Sequence, residues 1–449
     1  MDIAVEKKIE LAQWLLDPDK QQALPHDLPE LETKLRELGL YAVYTDIELP
    51  LVDILDAMHE AGIKMDLKHL SRLEKDIDKE ISSLVKKIYK LAGGEFNINS
   101  PKQLGEILFD RLKISADGIK TTGTGQRSTD AETLLMIKDR HPIIESILHY
   151  REIFKLNSTY IRPLQELADK TGRVHTTFVQ TGTATGRLSS QNPNMQNIPI
   201  VGEWGKEIRA AFIAEKKFSI ATFDYSQIEL RVLATVSGDP NMIEAFKRDL
   251  DIHQLTASKI FGVPLEKITP EMRVTAKTLN FGISYGMGPQ AFAKESGLPV
   301  GEAKKFIQEY FAEFAAVKKW QGETIAKARI RGYVENLSGR RRWLPNINWP
   351  GRRYAAEAER VAINMPIQGL AADIIKLAMI RVTELLKKKK WWGVKARLLL
   401  SIHDELLLEI DDDILKEASS LIRQEMESAY KLSVPLKVNS GTGKNWGQA

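Results

Sequence analysis

The sequence predicts an α+β protein in which a small β-sheet lies between two helical blocks. In residues 49–92, apolar side chains recur at helical spacing until Gly93 and Gly94 end the pattern. Apolar segments of strand length occupy residues 173–182, 216–224 and 395–410. Further helical patterns cover residues 130–170, 226–238, 240–335, 356–390 and 412–430.

The segments before the first predicted strand are helical. Two predicted helices, Val5 to Leu16 and Leu28 to Leu38, are too short to fold alone. Ser100 followed by Pro101 is typical of a helix start, because serine caps free amide groups and proline tolerates the first turn. Residues 115–129 are rich in glycine, threonine and serine, which predicts a mobile loop at the tip of a helical arm.

Composition limits the class of protein. The 449 residues suggest roughly two to four subdomains, and the apolar and charged fractions of 43% and 28% are ordinary for a globular protein. There is no cysteine, so any bound metal must be held by carboxylates, histidine or carbonyls, which favours a hard ion such as Mg²⁺. The N-terminus does not resemble a signal peptide, and no apolar run approaches the ~20 residues of a membrane span. We therefore expect no membrane attachment and a cytoplasmic location.

Positive charge is clustered along the chain. The net charge of +4 is weak evidence for a nucleic-acid partner. Arginine and lysine concentrate, with interleaved aromatic residues, in residues 331–343, 351–360 and 386–397. Each cluster alone fits a solvated helix face as well as a nucleic-acid groove.

Two aspartates stand at the ends of predicted strands. Asp224 ends the segment KKFSIATFD, and Asp404 lies in SIHDELLLE between two apolar strands. Alone, Asp224 is more often a helix cap and Asp404 a solvated turn residue. If the strands were neighbours, the pair could hold two Mg²⁺ ions ~3.5–4 Å apart and stabilise an in-line phosphoryl displacement. The sequence does not establish that the strands are adjacent.

A stripe of two cations and two aromatic rings lies in the segment RVTAKTLNFGISYG. Its members recur every four residues and share one helix face: Arg273, Lys277, Phe281 and Tyr285. Cations at one end and aromatic faces at the other match the phosphates and base of a nucleoside triphosphate. The alternative is a core helix whose cations reach past apolar surface to water. Gly282 and Gly286 weaken this helix and favour a moving element.

Two polar segments suit contacts with nucleic acid. Residues 183–199 are rich in hydroxyl and amide side chains, with Arg187 as the main donor, although surface loops often have this composition. A second stripe steps by four residues through Arg360, Asn364 and Gln368. Pro366 lies inside it and is expected to break or bend the helix.

Together, these segments resemble the motif set of the family A DNA polymerases, the bacterial DNA polymerase I type. DYSQIELR resembles motif A, R-x₃-K-x₃-F-x₃-Y resembles motif B on the mobile fingers helix, and HDE resembles motif C. TATGRLSS and the N-x₃-Q helix resemble two further segments, and the order fits from about residue 49 to the end. The resemblance implies a right-hand fold, with a palm sheet flanked by helical thumb and fingers. It also implies DNA-templated DNA synthesis in replication and repair.

The resemblance implies roles for the matching residues. Asp224, Asp404 and the Tyr225 carbonyl would hold two Mg²⁺ ions, for which Mn²⁺ can substitute. The incoming dNTP would contact Arg273, Lys277, Phe281, Tyr285, His253, Glu229 and Gln227. Lys277 would also protonate the pyrophosphate, and Glu229 would block a ribose 2′-hydroxyl. The primer–template would contact Arg187, Arg360, Asn364, Gln368 and His403, and Glu405 would support the primer end as a further catalytic residue.

The implied domains follow the chain. We expect a remnant of a 3′–5′ exonuclease-like domain, a thumb, a first palm segment, fingers and a second palm segment at residues 1–48, 49–165, 166–236, 237–350 and 351–449. Most exonuclease-like sequence is missing, so no exonuclease activity is expected. The implied partners are primer–template DNA and dNTPs, with a monomeric chain acting in the cytoplasm on the nucleoid.

Three positions depart from the family pattern: Ser401 in place of glutamine, Leu370 in place of a small or hydroxylated residue, and Val274 in place of a polar residue. Ser401 puts one primer-end contact in doubt. Three other functions stay open. A metal-dependent nuclease would not need the stripe, and a catalytically silent primer–template binding module would not depend on the aspartates. Glu229 and Phe281 argue against a single-subunit RNA polymerase.

Overall fold

The computed structural model describes residues 3–20, 23–121, 123, 125–199 and 202–449. The chain divides into two compact units. Unit one comprises Met1–Gly62, His175–Asn197 and Ala214–Ala449, and unit two comprises Ile63–Val174 and Ile198–Ile213. Among the helices of the described residues, none combines the length and apolar character that a membrane crossing requires.

Helices make up most of both units. The α-helices are α1 (Val5–Leu16), α2 (Leu28–Glu37), α3 (Tyr41–Val43), α4 (Leu49–Ala61), α5 (Leu67–Ala92), α6 (Pro101–Gly105), α7 (Ala131–Met136), α8 (Pro142–Leu156), α9 (Arg162–Leu167), α10 (Glu203–Ala210), α11 (Ile228–Ser237), α12 (Pro240–Lys247), α13 (Ile252–Phe261), α14 (Pro270–Ser284), α15 (Pro289–Ser296), α16 (Val300–Glu313), α17 (Ala315–Arg331), α18 (Arg352–Lys388) and α19 (Leu415–Glu427). Short π-helical segments occur at Tyr44–Glu48, Glu106–Arg111 and Asn157–Ile161.

The strands are β1 (Ile63–Lys64), β2 (Arg173–Val174), β3 (Thr177–Val179), β4 (Ser189–Gln191), β5 (Phe218–Tyr225), β6 (Tyr333–Glu335), β7 (Arg341–Trp343), β8 (Ala396–Ile402), β9 (Glu405–Asp411) and β10 (Val438–Gly443). Four of them form an antiparallel sheet in the order β10-β5-β9-β8. The other strands form three two-stranded sheets. The four-stranded sheet carries the residues predicted to hold metal.

This sheet is the core of unit one. Apolar side chains of its central strands are buried, including Ile220, Phe223, Leu406 and Leu408. Helix α19 packs against β5, β9 and β10, and α4 packs against β8. Cover of this kind explains why β5 and β9 are nearly continuous apolar runs instead of alternating patterns. The strand ends that carry Asp224 and Asp404 are thus fixed by a rigid core.

Unit two is a helical arm with its own core. Helix α5 packs against α8, and its heptad-like apolar residues Leu70, Leu73 and Ile77 are buried. The side chain of Ser100 accepts a hydrogen bond from the amide of Gln103, which confirms the predicted helix start. Residues 122 and 124 of the predicted mobile loop lie outside the described residues, and its mobility stays a prediction.

A buried ionic cluster links α18 to the π-helical segment before α4. Nζ of Lys376 lies 2.6 Å from Oε1 of Glu48, which also accepts a hydrogen bond from Arg340. Nε of Arg340 donates to Asp373 at 2.9 Å. Burial alone would raise the pKa of Glu48, but the two cations hold it below its usual range. Because removal of one partner from a buried pair costs about 3–5 kcal/mol, this cluster fixes α18 firmly in unit one.

The structure corrects several predictions. Helix α18 runs through Pro366 without a break, so a break at this proline is wrong, whereas a bend there stays a prediction. Ala362, Met365 and Ile367 are buried around the proline, and this packing outweighs the lost backbone hydrogen bond. The segment 173–182 is not one strand but β2, β3 and a short 3₁₀ turn.

Other boundaries also differ from the predictions. The hairpin of β6 and β7 lies partly within a region predicted to be helical. Strand β10 was not predicted, because VNSGTG is polar and rich in glycine. It becomes a strand by pairing with β5 at the edge of the sheet. The last predicted helix is shorter than expected and begins at Leu415.

Candidate active site

Two aspartates meet at one end of the four-stranded sheet. Strands β5 and β9 are neighbours, and their register places Asp224 opposite Glu405. Asp404 belongs to the two-residue turn between β8 and β9, and its carbonyl accepts a hydrogen bond from the Tyr225 amide at 3.1 Å. His403, the other turn residue, has a φ of +51°, a left-handed conformation that histidine adopts more readily than most residues. The hairpin thus brings Asp404 to the strand end that carries Asp224.

Both aspartates at this strand end have raised pKa values. Burial, with the nearby carboxylates of Glu229 and Asp224, raises the pKa of Asp404 to about 7, and Arg187 partly offsets the effect. Partial burial also raises the pKa of Asp224. Both shifts mean that the ionised carboxylates lack sufficient solvation or positive charge. A divalent cation would supply that charge.

The donors present suit a magnesium ion. Within the described residues, no group of three or more histidine, aspartate or glutamate side chains is arranged to hold a metal. Asp224 and Asp404 are the carboxylate donors that the sequence predicts, and the Tyr225 carbonyl is at the same strand end. Mg²⁺ commonly binds through one or two carboxylates and completes its shell with water and substrate phosphates. The donor set therefore fits the predicted metal.

Glu229 joins residues that the sequence assigned to separate roles. Its side chain is only 3% exposed and accepts hydrogen bonds from Arg187 and from the Tyr285 hydroxyl, the latter at 2.8 Å. Gln368 also contacts the Tyr285 hydroxyl. Burial and the Glu229 charge raise the pKa of Tyr285 to about 12, so the phenol stays protonated and donates. Gln227 lies two residues before Glu229, at the N-terminus of α11, with a φ of +53°.

Helix α14 presents the predicted stripe away from its buried face. Arg273, Lys277 and Phe281 are at least partly exposed, whereas Leu279 and Ile283 are buried. The stripe is therefore not the core face of the helix. Nε of Arg273 already contacts a carboxylate, Oδ2 of Asp251, at 2.7 Å.

The two glycines near the end of α14 serve a tight turn. The helix ends at Ser284, and Tyr285 is its C-cap. A Cβ on Gly282 would lie 2.7 Å from the sulfur of Met287, and Gly286 has a φ of +67°. Close packing and left-handed backbone therefore account for both glycines. The predicted mobility of this helix stays a prediction.

His253 occupies the N-terminal turn of α13 and is 2% exposed. Asp251 caps this helix by accepting hydrogen bonds from the amides of His253 and Gln254, at 2.9 and 3.2 Å. Burial, with the charges of Arg273 and Lys277, lowers the pKa of His253 to about 4, although Asp251 acts in the opposite direction. The imidazole is therefore neutral near pH 7.

The residues predicted to hold primer–template DNA lie at three places: on α18, just before β4 and in the β8–β9 turn. On α18, Arg360 is exposed, and Asn364 and Gln368 are half-buried on the same face. In the part of the chain that the structure describes, no donor reaches the buried Oδ1 of Asn364. Arg187 lies just before β4, and His403 is exposed in the β8–β9 turn.

Sequence reasoning missed Gln196. A cavity of about 240 Å³ is lined by Arg187, Gln196, Ser401 and His403, among others. Nε2 of Gln196 lies 3.0 Å from the Leu188 carbonyl and 3.4 Å from the Ser401 carbonyl. Gln196 lies within the polar segment 183–199, but that segment has no periodicity that would distinguish it from its neighbours.

The family model for DNA polymerase family A matches residues 67–448. The chain belongs to this family. It is 46% identical over 411 residues to "DNA polymerase I, thermostable" of Thermus thermophilus, covering 91% of this chain and 49% of that protein. The protein of the same name from Thermus aquaticus is 46% identical over 440 residues, covering 97% of this chain and 52% of that protein.

A solved structure supports the fold. The chain superimposes on the POL domain of Pol1 from M. smegmatis, in complex with DNA primer-template and dNTP, with a TM-score of 0.92. That chain is 36% identical, and the match covers 98% of this chain and 82% of that one. The predicted family and the predicted α+β polymerase fold are thereby confirmed. Family A polymerases are metal-dependent, and this chain spans about half the length of the curated relatives that it matches.

Proposed function

We propose that the chain is a DNA-templated DNA polymerase that adds dNTPs to a primer 3′-hydroxyl. The observation that carries this proposal is that Asp224, at the end of β5, and Asp404, in the turn before the neighbouring strand β9, lie close enough for their charges to interact with each other and for the charge of Glu229 to act on Asp404. The oxygen of the primer 3′-hydroxyl releases its proton to water and forms a bond to the α-phosphorus of the dNTP. The bond from that phosphorus to the bridging oxygen breaks, and pyrophosphate leaves.

Asp224, Asp404 and the Tyr225 carbonyl are the proposed ligands of two Mg²⁺ ions, for which Mn²⁺ can substitute. When bound, the metal supplies positive charge that lowers the pKa of the 3′-hydroxyl and stabilises the charge of the leaving group. Glu405, opposite Asp224 in the register, supports the primer end from the same hairpin.

Positive side chains of α14 bind the triphosphate. Lys277 is exposed, whereas Arg273 would have to exchange or share its contact with Asp251. Arg273 holds phosphate oxygens through its planar fork of donors. Lys277 holds the same group as a point charge and donates a proton to the departing pyrophosphate. His253 lies one helix away and provides a further phosphate contact.

Glu229 and its neighbours select the deoxyribose sugar. The Glu229 carboxylate is fixed by Arg187 and Tyr285, so it cannot move aside for a 2′-hydroxyl without breaking buried hydrogen bonds. Phe281 packs on the sugar, and Gln227 borders the same space. Tyr285 contacts the templating base with its ring while its hydroxyl stays on Glu229.

The primer–template is held by polar side chains from α18 and from the palm. Asn364 has a buried acceptor without a donor among the described residues, and a base-edge or sugar donor would satisfy it. Gln368, Arg360, Arg187 and His403 complete this surface. Primer–template DNA and dNTPs are the proposed partners, and the chain is proposed to act as a monomer in the cytoplasm on nucleoid DNA. The thumb, palm and fingers boundaries given above are proposed with it.

Single-turnover dNTP incorporation by a Lys277→Ala variant tests the proposed function. Loss of a general acid and a phosphate contact predicts a fall in rate of about 10²–10⁴-fold. Lys267→Ala removes an exposed lysine ten residues earlier and is the matched control, with a rate close to that of the native chain. Equal rates in both variants would contradict the proposal. A nuclease would instead degrade the primer without consuming dNTP.

A further inference from the structure

Two large aromatic rings are exposed at the N-terminal end of α18. Trp349 lies in the loop after β7 and is 56% exposed, and Tyr354, in the first turn of α18, is 57% exposed. In the part of the chain that the structure describes, Phe154 is the only other exposed aromatic side chain, and it stacks on Tyr150. Single exposed apolar side chains are ordinary on a protein surface, whereas a neighbouring pair of large rings indicates a binding surface.

The two rings border the same point beside Gly351. A Cβ on Gly351 would lie 3.2 Å from Cδ1 of Trp349 and 3.6 Å from Cδ2 of Tyr354. Hydrogen bonds hold the backbone on both sides, because Nδ2 of Asn348 donates to the Arg329 carbonyl at 2.8 Å and the Tyr354 amide donates to the Gly351 carbonyl at 3.1 Å. The rings are therefore presented from an ordered backbone, which lowers the entropic cost of binding a flat partner.

Helix α18 continues from these rings into the proposed primer–template surface. Arg360 follows Tyr354 by six residues, which is about 9 Å along the helix. Arg360 packs beside the residue proposed to contact the templating base, because a Cβ on Gly286 would lie 3.2 Å from its Cγ and Tyr285 is the preceding residue. The other proposed contacts on α18 lie farther toward its C-terminus. The two rings thus extend this surface beyond the templating base.

We propose that Trp349 and Tyr354 form a stacking site for unpaired bases of the template strand, ahead of the templating base. The inference rests on the proposed function, which brings primer–template DNA to α18. In that substrate the paired bases already stack on one another, and the uncopied template is the part whose base faces are free. Aromatic side chains bind such faces in any sequence, because every base has one.

The first test identifies the contact and needs no catalysis. Templates that carry 5-iododeoxyuridine at one of the first six positions of the overhang would be irradiated in complex with the full chain. Mass spectrometry would then locate the crosslinked residue. We expect crosslinks to Trp349 or Tyr354 from bases about two to four nucleotides beyond the templating base, since stacked nucleotides are spaced ~3.4 Å apart. Crosslinks to neither residue from any position would overturn the proposal.

The second test measures the Kd for a labelled primer–template whose overhang is either one or six nucleotides long. Trp349→Leu keeps an apolar side chain but loses the flat ring, so it should raise the Kd for the long overhang by about 5- to 150-fold, the effect of one lost stacked base. The Kd for the short overhang should not change. Trp349→Phe keeps a ring and should bind almost as the native chain does.

The same measurements need a control for the loss of a tryptophan. Trp391→Leu removes a partly exposed tryptophan from the loop before β8 and should change neither Kd. Thermal unfolding of each variant shows that it is folded. Because Trp349→Leu removes no cation, the slope of log Kd against log salt concentration should equal that of the native chain. A smaller slope would mean that the ring acts by ordering charged contacts, and it would overturn the proposal.

Two further results would overturn the stacking site. An equal rise in Kd for both overhangs in Trp349→Leu would mean a merely structural role. An unchanged Kd for the long overhang in both Trp349→Leu and Tyr354→Leu would mean that the rings do not contact the template. Failure of the DNA-bound native chain to extend a primer would overturn the proposed function instead, whereas the crosslinking and binding measurements test the stacking site alone.

Discussion

The raised pKa of Asp404 predicts that its charge destabilises the metal-free protein. The pKa is about 7 in the folded chain and near 3.8 in an unfolded one. The folded chain therefore binds the Asp404 proton more tightly, and this contribution to stability is present below about pH 4 and is lost as the pH rises through about 7. Each unit of difference between the folded and unfolded pKa values is worth about 1.4 kcal/mol. The resulting loss in the free energy of unfolding therefore has an upper limit of roughly 4 kcal/mol.

Asp404→Asn removes the charge and nearly preserves the shape of the side chain. With a chelator present, we expect the variant to be more stable than the native chain at pH 8.5, by roughly 1–4 kcal/mol in the free energy of unfolding. Near pH 4 the two proteins should be equally stable. The assay is urea unfolding at both values of pH, followed by tryptophan fluorescence. Glu405→Gln is the control, because it removes the same charge from the next residue of the same hairpin.

Magnesium should reverse the order of stability of the native chain and the Asp404→Asn variant. Ions that bind only the folded state stabilise it by mass action, so millimolar Mg²⁺ should stabilise the native chain at pH 8.5 and the variant much less. A variant that is equally stable, or less stable, than the native chain at pH 8.5 in chelator would refute the electrostatic reasoning. The electrostatic reasoning would also be refuted if the variant and the native chain differed in the free energy of unfolding by the same amount at pH 4 and at pH 8.5.

Two further substitutions test the hydrogen bond from Tyr285 to Glu229 and the packing of Gly186 against Arg340. Tyr285→Phe removes a donor from buried Glu229, so discrimination against rNTP should fall about tenfold, measured as the ratio of kcat/KM for dNTP and rNTP; an unchanged ratio would contradict this. Gly186→Ala should lower the free energy of unfolding by about 1–3 kcal/mol, because its φ is +92° and the new Cβ would lie 2.7 Å from Nε of Arg340. Gly322→Ala, at an open helical site, is the control and should be neutral or slightly stabilising.

The sequence was most informative where a motif also has a local pattern. The stripe on α14 was predicted from its four-residue repeat, and the hairpin of β8 and β9 from two apolar runs around Asp404. The adjacency of β5 and β9 could not be predicted, because it depends on pairing between residues about 180 positions apart. That pairing is what makes Asp224 and Asp404 one site.

Contacts between buried polar side chains were the main features that could not be predicted from the sequence. Asn280 is buried on α14 beside the exposed stripe, and its partner His253 precedes it by 27 residues. The link between Arg187 and Glu229 spans 42 residues, and the sequence had assigned one to DNA and the other to the nucleotide. Contacts of this kind arise from packing, and no periodicity within either segment specifies them.

Primer extension tests the central claim most directly. A labelled DNA primer on a longer DNA template would be incubated with four dNTPs and Mg²⁺, beside the Asp404→Asn variant as a folded control. The account predicts template-directed extension by the native chain and none by the variant, with primer–template binding retained in both. Extension by the variant at the native rate would contradict the assignment of the metal site. Absence of extension by a folded, DNA-binding native chain would contradict the proposed activity itself.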